Sequence, residues 1–329
     1  MKRRIFCWAV LSPLIAFAAD NSVPRLADGH PDLSGIWTNV TITPLERPRE
    51  LANKAFFTPE EAAQYEKTHV RNRDNRTEIK GTVNDVLLAY NDAWWDSGTH
   101  IVKTLRTSMI VDPPDGRIPA LTEERQRELR AISETRRVRC QHPGCEPENS
   151  GQLGPADGPE DRPLMERCLW FGTAAPLMPS AYNNNYEIAQ TDGFVGIDVE
   201  MVHQMRWIPI DGSPHLPANV RQWAGDSRGH WEGDTLVVDT TNFSDQVSFR
   251  GSDRNLHLIE RFTRVDTDTI MYRFTIDDPT AFTRSWTGEI PFVKSAGPLY
   301  EYACHEGNLG MTGILSSARA DEKKAAQQK

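Results

Sequence analysis

The chain has 329 residues, 38% hydrophobic and 25% charged, and its 46 acidic residues outnumber 37 lysines and arginines to give a formal charge of -9. A surface of that sign repels phosphate backbones and anionic headgroups, so nucleic acid and acidic membrane surfaces are poor partners. The basic stretch Arg136-Arg137-Val138-Arg139 reads as a solvated face.

Lys2, Arg3 and Arg4 precede an apolar run from Ile5 to Phe17 and the small-x-small site Ala16-Phe17-Ala18, the pattern of a secretory signal peptide over residues 1–19. The run is too short to cross roughly 30 Å of hydrocarbon, and no later segment approaches the required length, so no membrane span is expected. Arg3-Arg4 before Ile5-Phe6 fits twin-arginine export as well as the general secretory route. Loss of the leader takes three of the 37 basic residues and no acidic one, leaving 34 against 46 and a charge of -12.

Residues 20–57 form a Pro-rich irregular arm, interrupted by a short opening strand from Leu33 to Asn39. Thr58-Pro59-Glu60-Glu61 starts a helix over about 58–67, with Thr58 and Glu61 as a capping box and Pro59 at the first helical position. Thr99 to Val111 alternates and is rich in β-branched residues, and Asp112-Pro113-Pro114-Asp115-Gly116 turns it. Thr122-Glu123-Glu124-Arg125 starts a second helix over about 122–136, charged on most faces, which suits an excursion on a surface. Residues 141–163 are a loop rich in Gly, Pro, Asp and Glu.

From Tyr182 the pattern becomes regular. Strands are expected at Tyr186 to Thr191, Phe194 to Met201, Gln204 to Ile210, Thr235 to Thr240, Leu256 to Val265, Thr269 to Ile276, Thr283 to Phe292 and Leu299 to Cys304. Asp192-Gly193, Asp211-Gly212, Glu232-Gly233-Asp234 and similar turns separate them, which marks hairpins. The expected fold is mainly β, an antiparallel meander closing into a barrel to remove its edges, with two short helices as excursions. Residues 20–317 are taken as one domain and 318–329 as a frayed tail.

Leu33-Ser34-Gly35-Ile36-Trp37 carries Gly-x-Trp on the opening strand, which resembles lipocalin-like barrels. The segments from Arg106 to Arg117, Gly225 to Asp234 and Tyr300 to Asn308, with Trp94-Trp95-Asp96, resemble a widespread group of secreted bacterial proteins. The resemblance implies secretion and a barrel, and transfers no activity.

Four cysteines remain after the leader, and in an oxidising compartment they admit three disulfide pairings. The favoured one closes a tight loop with Cys140 and Cys145 and ties mid-chain to the last strand with Cys168 and Cys304. A metal site is the competing reading, but C-x-x-C and a matching His spacing are missing from the sequence.

Strand parity selects candidate site residues. Ile197, Val199, Met201 and His203 share one face, which would put His203 at the end of an inward stripe. Ile270, Tyr272, Phe274 and Ile276 form another inward face, and on the partner strand Glu260 points with Leu258 and Phe262. A carboxylate buried there suits a general acid or base, or else a structural ion pair with Arg284 or Arg106. His257, three residues earlier, faces the opposite way and cannot share a metal with Glu260; it is a further acid–base candidate, as is His305 beside Cys304 on the barrel rim. Trp95, Asp96 and Arg106 would supply an aromatic wall and an anion clamp, or the Trp pair would plug the barrel end, while Tyr272, Phe274 and Trp286 would line the cavity. No nucleotide, haem or zinc-protease motif is present, so no cofactor and no metal is expected. Two functions fit: a secreted, cofactor-independent lyase, isomerase, hydratase or hydrolase acting on a small apolar or aromatic molecule through His203, Glu260 and His305, or a periplasmic carrier holding such a molecule unchanged.

Overall fold

The structure is a computed structural model that describes residues 23–74, 96, 98–139 and 156–327. The expected leader, Trp94, Trp95, Cys140 and Cys145 lie outside the described residues. Ten strands are described: β1 (Gly35–Thr38), β2 (Ile110–Asp112), β3 (Asn185–Gln190), β4 (Phe194–Val199), β5 (Gln204–Pro209), β6 (Asp226–Glu232), β7 (Thr235–Thr241), β8 (His257–Arg264), β9 (Thr269–Asp277) and β10 (Trp286–Lys294). Three α-helices are described among these residues, α1 (Pro59–Asp74), α2 (Glu123–Arg139) and α3 (Leu309–Gln327). The strands make one antiparallel sheet in the order β5-β4-β3-β1-β10-β9-β8-β7-β6, with β2 added against β10. It curls into a nearly closed barrel, and the mainly β architecture read from the alternation is the one observed.

The alternation works as parity requires. In β8, Leu258, Glu260 and Phe262 are buried while His257, Ile259 and Arg261 are not, and in β9 Ile270, Tyr272, Phe274 and Ile276 are all inward. Phe274 lies directly across from Gly288, where a Cβ would come within 2.3 Å of the Phe274 ring. The bare glycine is therefore what gives the ring its place.

The barrel interior is filled by the chain itself. Trp170, Ala174, Ala175, Leu177 and Met178 belong to the same core cluster as Trp37, Tyr186, Tyr272, Phe274, Trp286 and Phe292. Polar contacts fix this plug: Leu177 N–H donates to Tyr272 Oη at 2.9 Å, Asn39 Nδ2 donates to Leu177 O at 3.2 Å, and Tyr186 Oη donates to Met178 O at 3.2 Å. Tyr272, Phe274 and Trp286, expected to line a hollow, are instead fully buried and in ring contact with one another.

The barrel stops short of closure for a topological reason. Eight successive antiparallel pairings lead from β5 to β6, so these two strands run in the same direction. A parallel pair needs a long crossover, here residues 210–225, and no backbone ladder forms between β5 and β6 among the described residues. At one end this seam pinches shut around Gly229, where a Cβ would meet Ile210 Cγ2 at 2.7 Å and Ile208 Cγ2 at 3.0 Å.

Several elements differ from the sequence reading. No strand was expected at β6, where only the turn Glu232-Gly233-Asp234 was read at its end, yet its inward positions include Ser227 and Gly229. Residues 299–304 form no strand; β10 already has β9 on one side and β1 and β2 on the other, so no edge was free to receive a following hairpin. The supposed tail is mostly α3, capped where Asn308 Oδ1 accepts the Met311 N–H at 3.2 Å and anchored by Arg319 donating to Ala156 O and Asp157 O. Its Ala, Lys, Gln and Glu residues are strong helix formers. The capping box of α1 forms as expected, with Glu61 Oε2 accepting from Thr58 N–H at 2.8 Å, but the helix runs on to Asp74.

Candidate functional site

The deepest polar group is centred on Glu260, which is 0% exposed. Its partner is Arg206 of β5, not Arg284 or Arg106. Arg206 Nη1 donates to Glu260 Oε1 at 2.9 Å and Nη2 donates to Oε2, while Tyr272 Oη donates to Oε1 at 2.8 Å. The guanidinium also donates to Ala174 O of the plug at 2.9 Å and to Ser227 Oγ of β6 at 3.2 Å. Burial pushes the Tyr272 phenol well above its usual range, so it remains a donor. Arg206 thus reaches across the seam and joins β5 to β6, β8, β9 and the plug, with Glu260 as its ion-pair partner. A carboxylate so paired is part of the structure that holds the seam.

The other acid–base candidates do not join it. Val202 and His203 have φ of 56° and 49° within the short 3-10 turn Met201–His203. That turn interrupts the alternation, so Ile197, Val199 and Met201 point inward but His203 is exposed, its Nε2 accepting the Tyr302 N–H at 2.7 Å. His305 is exposed in a turn whose carbonyl accepts the Asn308 N–H. His257 faces outward, as parity requires, with Nε2 2.8 Å from Asp239 Oδ2. The hydrogen bond to Asp239 raises the His257 pKa and lowers that of Asp239. Asp239 Oδ1 in turn meets His215 Nε2 at 3.0 Å, and His215 Nδ1 meets Asp226 Oδ2 at 2.9 Å. This outer-face chain of alternating carboxylates and imidazoles clips the crossover segment to β6 and β7.

The remaining candidates are dispersed. Arg284 pairs with Asp112 on the surface at 2.6 Å. Arg106 lies 4.8 Å from the Phe56 ring centroid, and its burial lowers its pKa. Asp96 is fixed through its backbone, its N–H donating to Ala181 O and its carbonyl accepting from Asn184 Nδ2, both at 2.7 Å. With His100 and Lys103 it borders a cavity of about 580 Å³ on the outside of β1 and β10. Cys168 and Cys304 are disulfide-bonded, the pairing favoured from the sequence.

Where the seam splays open, opposite its pinched end, lies a cleft of about 670 Å³. Met205 and Trp207 of β5 border it on one side, Asp226 and Arg228 of β6 on the other, and Leu216, Arg221 and Trp223 of the crossover complete it. Arg206 and Ser227, the inward residues of the two edge strands, line it from the buried side. Trp207 is 60% exposed. The Nε–H of Arg206 is buried without a hydrogen-bond partner. Parity alone would have flagged Arg206, since it alternates with Ile208 on the expected strand. Arg221 and Trp223 lie in a stretch of turn-forming residues that carries no period, so nothing in the sequence marked them. No family model, curated protein or solved structure matches this chain, so its function is read from this geometry.

Proposed function

We propose that the protein is a secreted carrier of a small aromatic molecule, held in the seam cleft between β5 and β6. One observation carries the reading: the splayed part of the seam combines an exposed Trp207 and a half-buried Trp223 with a buried, unpartnered Arg206 N–H. The lining is as much polar as apolar, and the cleft volume is in the usual range of binding sites, roughly 300–1,000 Å³. Carriage is favoured over turnover because His203, Glu260 and His305 do not converge on this cleft and Glu260 is already paired. The disulfide between Cys168 and Cys304 supports an oxidising compartment, and no described helix is long and apolar enough to cross a membrane.

The reading is tested by calorimetric titration of the full chain with 2-naphthamide, a neutral fused-ring probe. Trp207→Ala removes one aromatic wall, and Gln222→Trp, at an exposed position on the cleft, occupies its volume. Each is expected to weaken binding about tenfold or more, while the melting temperature stays within a few degrees because both side chains are exposed. Unchanged affinity in both variants would reject the seam cleft as the binding site.

A further inference from the structure

The charges around the cleft are matched except for one. Arg206 is countered by Glu260, and Arg228 by Asp226 at 2.8 Å. Arg221 makes no ion pair with any described residue. Its Nη1 donates to the Phe243 and Arg254 carbonyls, both at 2.8 Å, and these hold the side chain in place without cancelling its charge. A positioned, uncompensated guanidinium in a protein with a formal charge of -9 is a local reversal of sign. A guanidinium presents a planar fork of donors that matches a carboxylate. Trp207, whose ring packs edge-to-face with Phe194 of β4, and Trp223 border the same space and supply its aromatic surface.

We infer that the ligand of the seam cleft is an aromatic monocarboxylate, its ring against Trp207 and Trp223 and its carboxylate on Arg221. The inference rests on the carrier reading and adds the ligand's charge. The guanidinium supplies preference for the anion, and the indoles supply affinity common to charged and neutral rings.

The test compares 2-naphthoate with its neutral isostere 2-naphthamide on the full chain by calorimetry. Wild type should bind 2-naphthoate at least tenfold tighter. Arg221→Gln should abolish that preference. Because Arg221 also holds two backbone carbonyls, a second measurement avoids relying on that variant. In wild type, raising salt from 50 to 500 mM should weaken 2-naphthoate severalfold and leave 2-naphthamide unaffected, since added ions screen a partly exposed charge pair. Equal affinities for the two probes in wild type, or a preference that survives in a folded Arg221→Gln, would overturn the inference. If 2-naphthamide binding depends on Trp207 but 2-naphthoate has no advantage, the carboxylate falls and the carrier reading stands. If 2-naphthamide binding is insensitive to Trp207→Ala and Gln222→Trp, both fall.

Discussion

Arg206→Ala should destabilise the protein by about 3–5 kcal/mol, the cost of stranding one partner of a buried ion pair. The substitution leaves the Glu260 carboxylate fully enclosed with the Tyr272 hydroxyl as its remaining donor, and it removes a link among β5, β6, β8, β9 and the plug. For a domain of this size the fall in melting temperature is on the order of 10 °C. Glu260→Leu alone should cost a similar amount, since it leaves a buried guanidinium uncompensated. The double variant Arg206→Met with Glu260→Leu should recover at least about 2 kcal/mol relative to the sum of the singles, because apolar pairs of similar volume can replace buried ion pairs. Urea unfolding of the four proteins checks this cycle. Wild-type stability in Arg206→Ala would mean that the pair is not holding the seam, and would return Glu260 to the acid–base role expected from the sequence.

Cys168→Ser with Cys304→Ser should cost about 2–5 kcal/mol. The two cysteines are 136 residues apart, so their bond removes much of the freedom of the unfolded chain, in the chain-entropy account by roughly 4–5 kcal/mol. The folded state depends on it as well, because residues 299–308 have no strand ladder. Beyond the disulfide they are held by single bonds, such as Tyr302 N–H to His203 Nε2 and Asn308 Nδ2 to Glu166 O. The variant should therefore lose hydrogen-exchange protection first in α3 and the segment before it, ahead of the barrel strands. Equal protection and an unchanged unfolding midpoint would show that α3 docks independently of the crosslink.

Much of the barrel was legible because its strands obey a period of two over long stretches. Tyr272, Phe274, Leu258 and Phe262 announced an inward face, and Glu260 was found among them by the same parity. Its partner could not be read, since β5 and β8 lie six places apart along the sheet and come together only once it has curled. His203 escaped parity because two consecutive left-handed residues, neither of them glycine, reset the direction of the chain. The plug was missed for a different reason: residues 170–178 are apolar without period, which suits a core segment of any conformation, and the reading left the barrel empty where this segment fills it. The seam follows from counting strands, and β6 was the strand left out. With it absent, the end of the meander was unknown, and neither the parallel edges nor the cleft between them could be foreseen.

A crystal structure of the protein with 2-naphthamide bound addresses the central claim most directly. The ring should lie in the splayed seam between Trp207 and Trp223, with the plug undisturbed. A ring found instead among Tyr272, Phe274 and Trp286, with residues 170–178 displaced, would place the site in the barrel interior and contradict the account.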